Sequence, residues 1–440
     1  MTEILEGRKE APVAGEALVP KEAFISPEFA ALETERLWAR VWQVACREEE
    51  VANVGDFVEY KIVDQSIVVV RADETTIRAY FNACLHRGTP LKYGCGNAKE
   101  FRCRYHAWRW NLDGSIKEVL DGFDFDPKVV TPESLQLPEC AVATWGGFVF
   151  INMDRDAQRL YEFLRPVAQD LDRFELEQMR IEKSRTAVLA ANWKTALFAF
   201  TDNYHGSGTH PQLMFYNDDT GWPYETFGTL GHGRFEQPVA SLGRPSKRLG
   251  DFPYDAKQIA LARIADAGET GMYTEEFAAA VREMAEAMPD DMSASDFLAS
   301  VRRRQAAEEG LDLSRFSNSD IVGTPADWLI FPNISTPLNA VSEVFIRFRP
   351  NGTDPESCLV DVWNLRRFAD GDGPKSVERQ YFDDWRDHDG WGRILSQDFD
   401  NIPKVQRGMH SRRFEHLICG RQDLLMWNHM QVLNDYYINA

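Results

Sequence analysis

The sequence predicts an α+β protein in two parts, a small antiparallel β domain over residues 42–155 and a larger domain over 156–440 that mixes helices and strands. Three observations carry this. Between Trp42 and Asp154 short β-rich runs such as FVEYKIV (57–63) and SIVVVR (66–71) alternate with turn residues. Beyond that point, stretches with helical spacing of apolar residues intersperse with strands. The chain has 440 residues, 44% of them hydrophobic, enough for two cores.

Residues 1–41 read as an arm and a helix packing on the larger domain, with residues 1–24 loosely held. Ser26-Pro27-Glu28 is a helix start, with a capping hydroxyl, Pro at the first helical position and an acid in the first turn. In the β domain, Asn111-Leu112-Asp113-Gly114 followed by Ser115-Ile116 predicts a hairpin. A helix over 157–171 carries Pro166, which can kink it. Residues 255–310, rich in Ala, Glu and Arg, predict surface helices inserted in the larger domain. Strands are expected at 328–331, 342–349 and 358–365, and a last helix at 424–437.

The net charge of −20 argues against nucleic acid and anionic membranes as partners. The N-terminus lacks the apolar core of a signal peptide, and no run approaches eighteen apolar residues, so a cytoplasmic protein is expected. Of seven cysteines, Cys46, Cys95, Cys140, Cys358 and Cys419 are scattered and read as free thiols.

The chemistry concentrates in residues 84–106, CLHRGTPLKYGCGNAKEFRCRYH. Cys84 and His86 stand in CxH spacing, Cys103 and His106 in CxxH, with sixteen residues between His86 and Cys103. Two thiolates and two imidazoles suit tetrahedral zinc or an iron–sulfur cluster. In a Rieske [2Fe–2S] centre two Cys hold one iron and two His the other. A first half of CxH is unusual for a zinc finger. Structural zinc and four unrelated core residues remain the alternatives on spacing alone.

With their flanks, His86-Arg87-Gly88 and Tyr105-His106-Ala107-Trp108, these loops resemble the cluster-binding loops of Rieske oxygenases. The respiratory and photosynthetic type carries an extra Cys in each loop, where Thr89 and Tyr105 stand here. Two departures from the oxygenase pattern are Arg104 where Pro is common and Ala107 where Gly is common; neither removes a ligand.

Further on, Asp202, His205 and His210 form DxxHxxxxH, with Asn192 placed to cap the preceding helix and Asp202 and His205 expected on one face of its last turn. Gly206 and Gly208 are expected to break that helix. Alone, two His at a helix end are often structural. The set resembles the mononuclear iron motif of ring-hydroxylating Rieske oxygenases, in which two His and one carboxylate bind Fe(II) and leave positions for O2. The stretch from Gln397 to Gln406 resembles the family segment that supplies the carboxylate, on which Asp398 is the expected ligand and Asp400 its rival. Asp383, Asp384 and Asp387 read as surface acids.

The resemblance implies the large, catalytic alpha subunit of a Rieske non-heme iron aromatic ring-hydroxylating oxygenase. It implies a START-like, helix-grip catalytic domain with an antiparallel sheet. It implies that Asp202 bridges His106 of one subunit and His205 of the next for electron transfer, in a homotrimer (α3) or α3β3 assembly. Electrons would come from NADH through a separate reductase and possibly a ferredoxin, since no dinucleotide fingerprint is present. The implied reaction is hydroxylation of a hydrophobic, aromatic substrate, as cis-dihydroxylation or monohydroxylation. The alternatives are a monooxygenase or oxidative demethylase acting on a non-aromatic or N- or O-methylated substrate and, from other classes, a ferredoxin-like electron carrier or a zinc-stabilised binding module. Phe198, Leu213, Met214 and Phe215 are candidate pocket residues. His232, His388, His410, His416 and His429 receive no role.

Overall fold

The computed structural model describes residues 17–267, 273–323, 327–369 and 373–439. The chain divides into two compact units, residues 31–165 and residues 1–30 with 166–440. The smaller unit is thus wider than the expected 42–155.

The smaller unit is built on a seven-stranded antiparallel sheet. Its order is Gln43–Arg47, Phe148–Asn152, Glu139–Trp145, Ile77–Phe81, Gln65–Arg71, Asp56–Ile62, Cys95–Asn97. Val68, Val70, Tyr80 and Phe101 belong to a buried cluster that includes Cys84, Cys103, Trp108 and Trp110. Branched and aromatic residues favour such a sheet, and their burial anchors the cysteines. A three-stranded ribbon, Phe101–Arg102, Arg109–Trp110 and Ile116–Glu118, contains the expected hairpin; Asn111 N–H bonds Ser115 O at 2.9 Å across it. Arg109 ties the ribbon together through Glu100 and Glu118.

The larger unit carries an eight-stranded sheet. Its order is Tyr224–Thr226, Gly233–Phe235, Asp327–Ile330, Ile334–Pro337, Ser342–Asn351, Asp354–Arg367, Met179–Leu189, Gln380–Phe382. Every pair is antiparallel except the last. The long central strands are nearly continuous runs of buried residues, as a sheet covered on both faces requires. A fully buried carboxylate on these strands, Asp361, is compensated by Arg347 and Arg349 at 2.8 and 2.7 Å and by Thr186. The helices Trp193–Phe198, Arg393–Met409 and Leu424–Leu433 pack against this unit's core and position the site.

The expected insertion forms helices Ala256–Ala267, Glu275–Met284 and Ala294–Glu308, with residues 268–272 outside the described segments. The helix Leu160–Leu171 contains Pro166. Leu424–Leu433 is largely buried and belongs to the core.

The expected loose arm needs correction from residue 17 onward. Leu18–Pro20 pairs antiparallel with His416–Ile418, Cys419 N–H bonds Ala17 O at 2.8 Å, and Phe24 is fully buried. Residues 1–16 lie outside the described segments. A strand that finds an open partner gains backbone hydrogen bonds that composition alone does not reveal.

Candidate active site

Two groups of ligand-type side chains form, one in each unit. In the smaller unit, the turn after Cys84 is closed by Gly88 N–H bonding Cys84 O at 2.8 Å; Gly88 sits at φ 78°, a conformation that favours glycine. The second loop closes in the same way, with Ala107 N–H bonding Cys103 O at 3.2 Å, but here Ala107 takes φ 58°. The residue noted as a departure from the family pattern thus occupies a left-handed position.

Both thiols are buried. Burial pushes the Cys84 thiol up. Burial acts on Cys103 too, but the N–H groups of Tyr105 and His106 outweigh it and hold the thiol down. The rings of His86 and His106 lie 4.6 Å apart, and His86 stacks on Trp108 at 4.8 Å. Nδ1 of each histidine is buried with no hydrogen-bond partner. Buried polar nitrogens are normally satisfied, so two orphans side by side call for a ligand. Two buried thiols beside two histidines that lack partners are the donor set of a Rieske [2Fe–2S] centre.

In the larger unit, Asn192 caps the helix Trp193–Phe198 by accepting from Lys194 N–H at 3.0 Å, as expected. The helix ends earlier than expected. Asp202 and His205 do not lie on its last turn, and Gly206 and Gly208 sit inside a short helical turn, Gly206–Thr209, rather than breaking one. The reason is local. Asp202 Oδ1 accepts the His205 backbone N–H at 2.8 Å, and Thr201 bonds back to Phe198 O; short polar side chains that capture the backbone compete with the helix.

Asp202 Oδ1 also stands 3.2 Å from His205 Nδ1. His210 Nδ1 is 2.8 Å from Gln397 Oε1, a contact the sequence reading missed. Because a carbonyl oxygen only accepts, Nδ1 of His210 carries the proton and Nε2 presents its lone pair. That Nε2 lies 3.0 Å from Asp398 Oδ1 without the alignment of a hydrogen bond. His205 Nε2 lies 3.7 Å from the same oxygen. Among the described residues, His205, His210 and Asp398 are the one group whose ligand atoms converge within 4.8 Å. Two imidazoles and one carboxylate on one side are the donor set of a facial-triad iron site. Burial lowers the His205 pKa, but the hydrogen bond and charge of Asp202 and the charge of Asp398 push it up to about 9, which marks an anionic niche fit for a cation.

Asp400, the rival carboxylate, points outward and pairs with Lys404 at 2.6 Å. Gln406 is buried and braces the helices, accepting from Thr195 Oγ1 at 2.7 Å and donating to Phe24 O. His232 and His429 are fully buried; His429 lies 2.6 Å from Pro332 O, and burial drives its pKa down to about 3.

Two cavities meet the triad. One of about 480 Å³ reaches His205 and Asp398 and is lined by Phe198, Met409 and Met426. The other, of about 210 Å³, touches all three triad residues and Asp202, so a molecule bound there faces the whole triad. Leu213 lines it; Met214 and Phe215 line neither cavity. Its wall includes Tyr216, Trp222, Phe235 and Tyr273, all buried, and the carboxylate of Asp327. Burial pushes Asp327 up to about 7 against the Ser335 hydroxyl and the His205 charge, and among the described residues no cation forms an ion pair with it.

A β unit with paired Cys and His loops, joined to a helix-and-sheet unit with a two-His, one-carboxylate site, defines a Rieske non-heme iron oxygenase. The comparisons agree. Residues 41–121 match the family model of the Rieske [2Fe-2S] domain, and residues 176–438 match that of the ring hydroxylating alpha subunit (catalytic domain). The chain belongs to the ring-hydroxylating oxygenase alpha-subunit family. It is 30% identical over 200 residues to the carnitine monooxygenase oxygenase subunit of Acinetobacter pittii, covering 44% of this chain and 52% of that one. It is 33% identical over 212 residues to the anthranilate 1,2-dioxygenase large subunit of Acinetobacter baylyi, covering 45% and 44%. The chain thus spans about half the length of the curated relatives it matches. The solved quaternary ammonium Rieske monooxygenase CntA has the same fold, with a TM-score of 0.65, 19% identity, and 95% and 96% of the two chains covered. No helix among the described residues is long and apolar enough to cross a membrane.

Proposed function

We propose that this chain is the terminal oxygenase of a multicomponent system and hydroxylates a carbon beside the cationic nitrogen of a small N-methylated molecule, releasing the methyl or another carbon substituent as a carbonyl compound. The observation that carries this is the smaller cavity, where an unpaired carboxylate, Asp327, stands among four buried aromatic side chains next to the metal site. Aromatic faces receive a cation or a neutral ring alike, and the acid held out of water among them is what favours the cation. The similarity to carnitine monooxygenase supports the same reading over the aromatic substrate that the family resemblance first implies. The anthranilate 1,2-dioxygenase match keeps ring dihydroxylation as the second reading.

In this reading Cys84, His86, Cys103 and His106 hold a [2Fe–2S] cluster, and His205, His210 and Asp398 hold the mononuclear iron. When bound, the two metal centres supply single electrons and the activation of O2. The chain's own residues do the rest. Asp202 and Gln397 fix the two imidazole rings and their tautomers. Asp327 and the aromatic wall orient the cation so that one N-bound carbon faces the metal site. Asp202 also serves as the bridge by which the cluster of a neighbouring subunit reaches His205, in an α3 or α3β3 ring. A separate reductase, with or without a ferredoxin, supplies electrons from NADH, and the protein works in the cytoplasm.

The test is product analysis under labelled O2 with reductase supplied, across trimethylammonium compounds, aromatic acids and polycyclic hydrocarbons. Labelled oxygen incorporated only with the trimethylammonium compounds supports the proposal. A labelled ring diol from an aromatic acid, with no turnover of the ammonium compounds, moves the assignment to the second reading.

A further inference from the structure

Arg263, on the helix Ala256–Ala267, lines the same cavity as the triad, and its side chain is 7% exposed. One guanidinium nitrogen, Nη2, donates to Val322 O, which also accepts from the Tyr273 hydroxyl at 2.8 Å. The other, Nη1, is buried with no hydrogen-bond partner, and no ion pair engages Arg263 among the described residues. An arginine is always charged, and burying one with a free donor and no counter-charge is unfavourable unless something else satisfies it. The half of the guanidinium bound to Val322 is a fixed mount; the other half is a donor without a protein partner, on a side chain that lines the cavity.

Resting on the cationic reading of this cavity, we propose that Arg263 receives a carboxylate of the substrate, which makes the substrate class a short zwitterion bearing an N-methylated ammonium at one end and a carboxylate at the other. The cavity then has a complementary partner for each end: Asp327 and the aromatic side chains for the cation, Arg263 Nη1 for the anion. Asp327 and Arg263 do not pair with each other, so each charge stays available to the guest. The cavity volume of about 210 Å³ suits a small guest. A carboxylate held at Arg263 also fixes which end of the molecule approaches His205 and Asp398, so the same contact selects the reacting carbon.

The experiment is titration calorimetry on the full chain with both metal sites loaded, under anaerobic conditions so that no turnover occurs. The probes are trimethylglycine, its methyl ester and choline. The expected result is that the wild type binds trimethylglycine roughly ten- to a hundredfold more tightly than the ester, the range of a charged hydrogen bond. Arg263→Gln removes that preference without weakening choline binding, while Arg263→Lys restores part of it. Equal binding of acid and ester by the wild type overturns the proposal, and this comparison needs no variant should Arg263→Gln fail to fold. A preference that survives in Arg263→Gln overturns it as well. Butyrate and benzoate separate the two readings. Arg263-dependent binding of these cation-free carboxylates, with no binding of choline, upholds the role of Arg263 and sinks the cationic reading. If no carboxylate of either kind depends on Arg263, the role of Arg263 falls.

Discussion

Gln397 Oε1 lies 2.8 Å from His210 Nδ1, one residue before Asp398, whose Oδ1 lies 3.0 Å from Nε2 of the same ring. A single turn of the Arg393–Met409 helix therefore both sets the tautomer of one imidazole of the triad and presents the carboxylate beside it. Gln212 Nε2 donates to the same Gln397 oxygen at 2.8 Å, so the amide orientation is itself held.

Gln397→Leu is expected to weaken Fe(II) binding at the mononuclear site by about 10- to 100-fold, the usual effect of losing a partner that orients a ligand. Gln397→Glu keeps an acceptor and is expected to recover most of it. Competition with a coloured chelator measures both; unchanged iron affinity in the Leu variant removes Gln397 from the site.

Asp202→Asn is expected to leave the visible cluster spectrum and the iron content intact while slowing reoxidation of the reduced cluster by O2 and substrate by at least about 10-fold. Asparagine preserves the acceptor for the His205 backbone N–H, so folding of the turn is retained. Stopped-flow absorbance reads the rate, and wild-type kinetics would exclude a bridging role.

The Asp327 carboxyl, pushed up to about 7, gives a pH dependence with a defined sign. The folded protein holds this proton more tightly than the unfolded chain, so the group's contribution to stability falls as pH rises from about 4, the unfolded carboxyl value, to about 7. A bound cation favours the ionised form. Choline affinity should therefore rise about tenfold per pH unit below 7 and level off above it. The other ionisable groups lining the cavity are His205, His210 and Asp398, which are engaged once iron is loaded, together with Asp202, Arg263, Tyr216 and Tyr273. Calorimetry of the iron-loaded protein at pH 6, 7 and 8 measures the slope, and Asp327→Asn should flatten it.

Ala107 holds a left-handed backbone at φ 58° in the second cluster loop. Relief of that conformation should make Ala107→Gly more stable by up to about 1 kcal/mol. The midpoint of urea-induced loss of the cluster's visible absorbance checks this, and a lower midpoint would show that the alanine methyl contributes packing that outweighs the strain.

The cluster loops were legible because their information is local. Cys84 with His86 and Cys103 with His106 stand within a few residues, and each loop closes on itself through two backbone hydrogen bonds. His205 and His210 were legible for the same reason, although the helix expected to carry them ends at Phe198 and the Asp202 side chain takes the His205 N–H in a separate turn. Asp398 was reached only through family resemblance; what separates it from Asp400 is the direction each faces on its helix, one toward the histidines and one toward Lys404.

What the sequence by itself determined is the donor chemistry: which side chains bear sulfur, imidazole or carboxylate, and which lie close enough along the chain to share a loop. What only the tertiary structure decided is the company those donors keep. Gln397 reaches His210 across 187 positions of chain, and Asp327 and Arg263 meet the triad at one cavity from a sheet strand and an inserted helix. The physical reason is that hydrogen-bond direction, desolvation and unpaired charge are properties of a packed interior, and none exists until distant segments exclude water together.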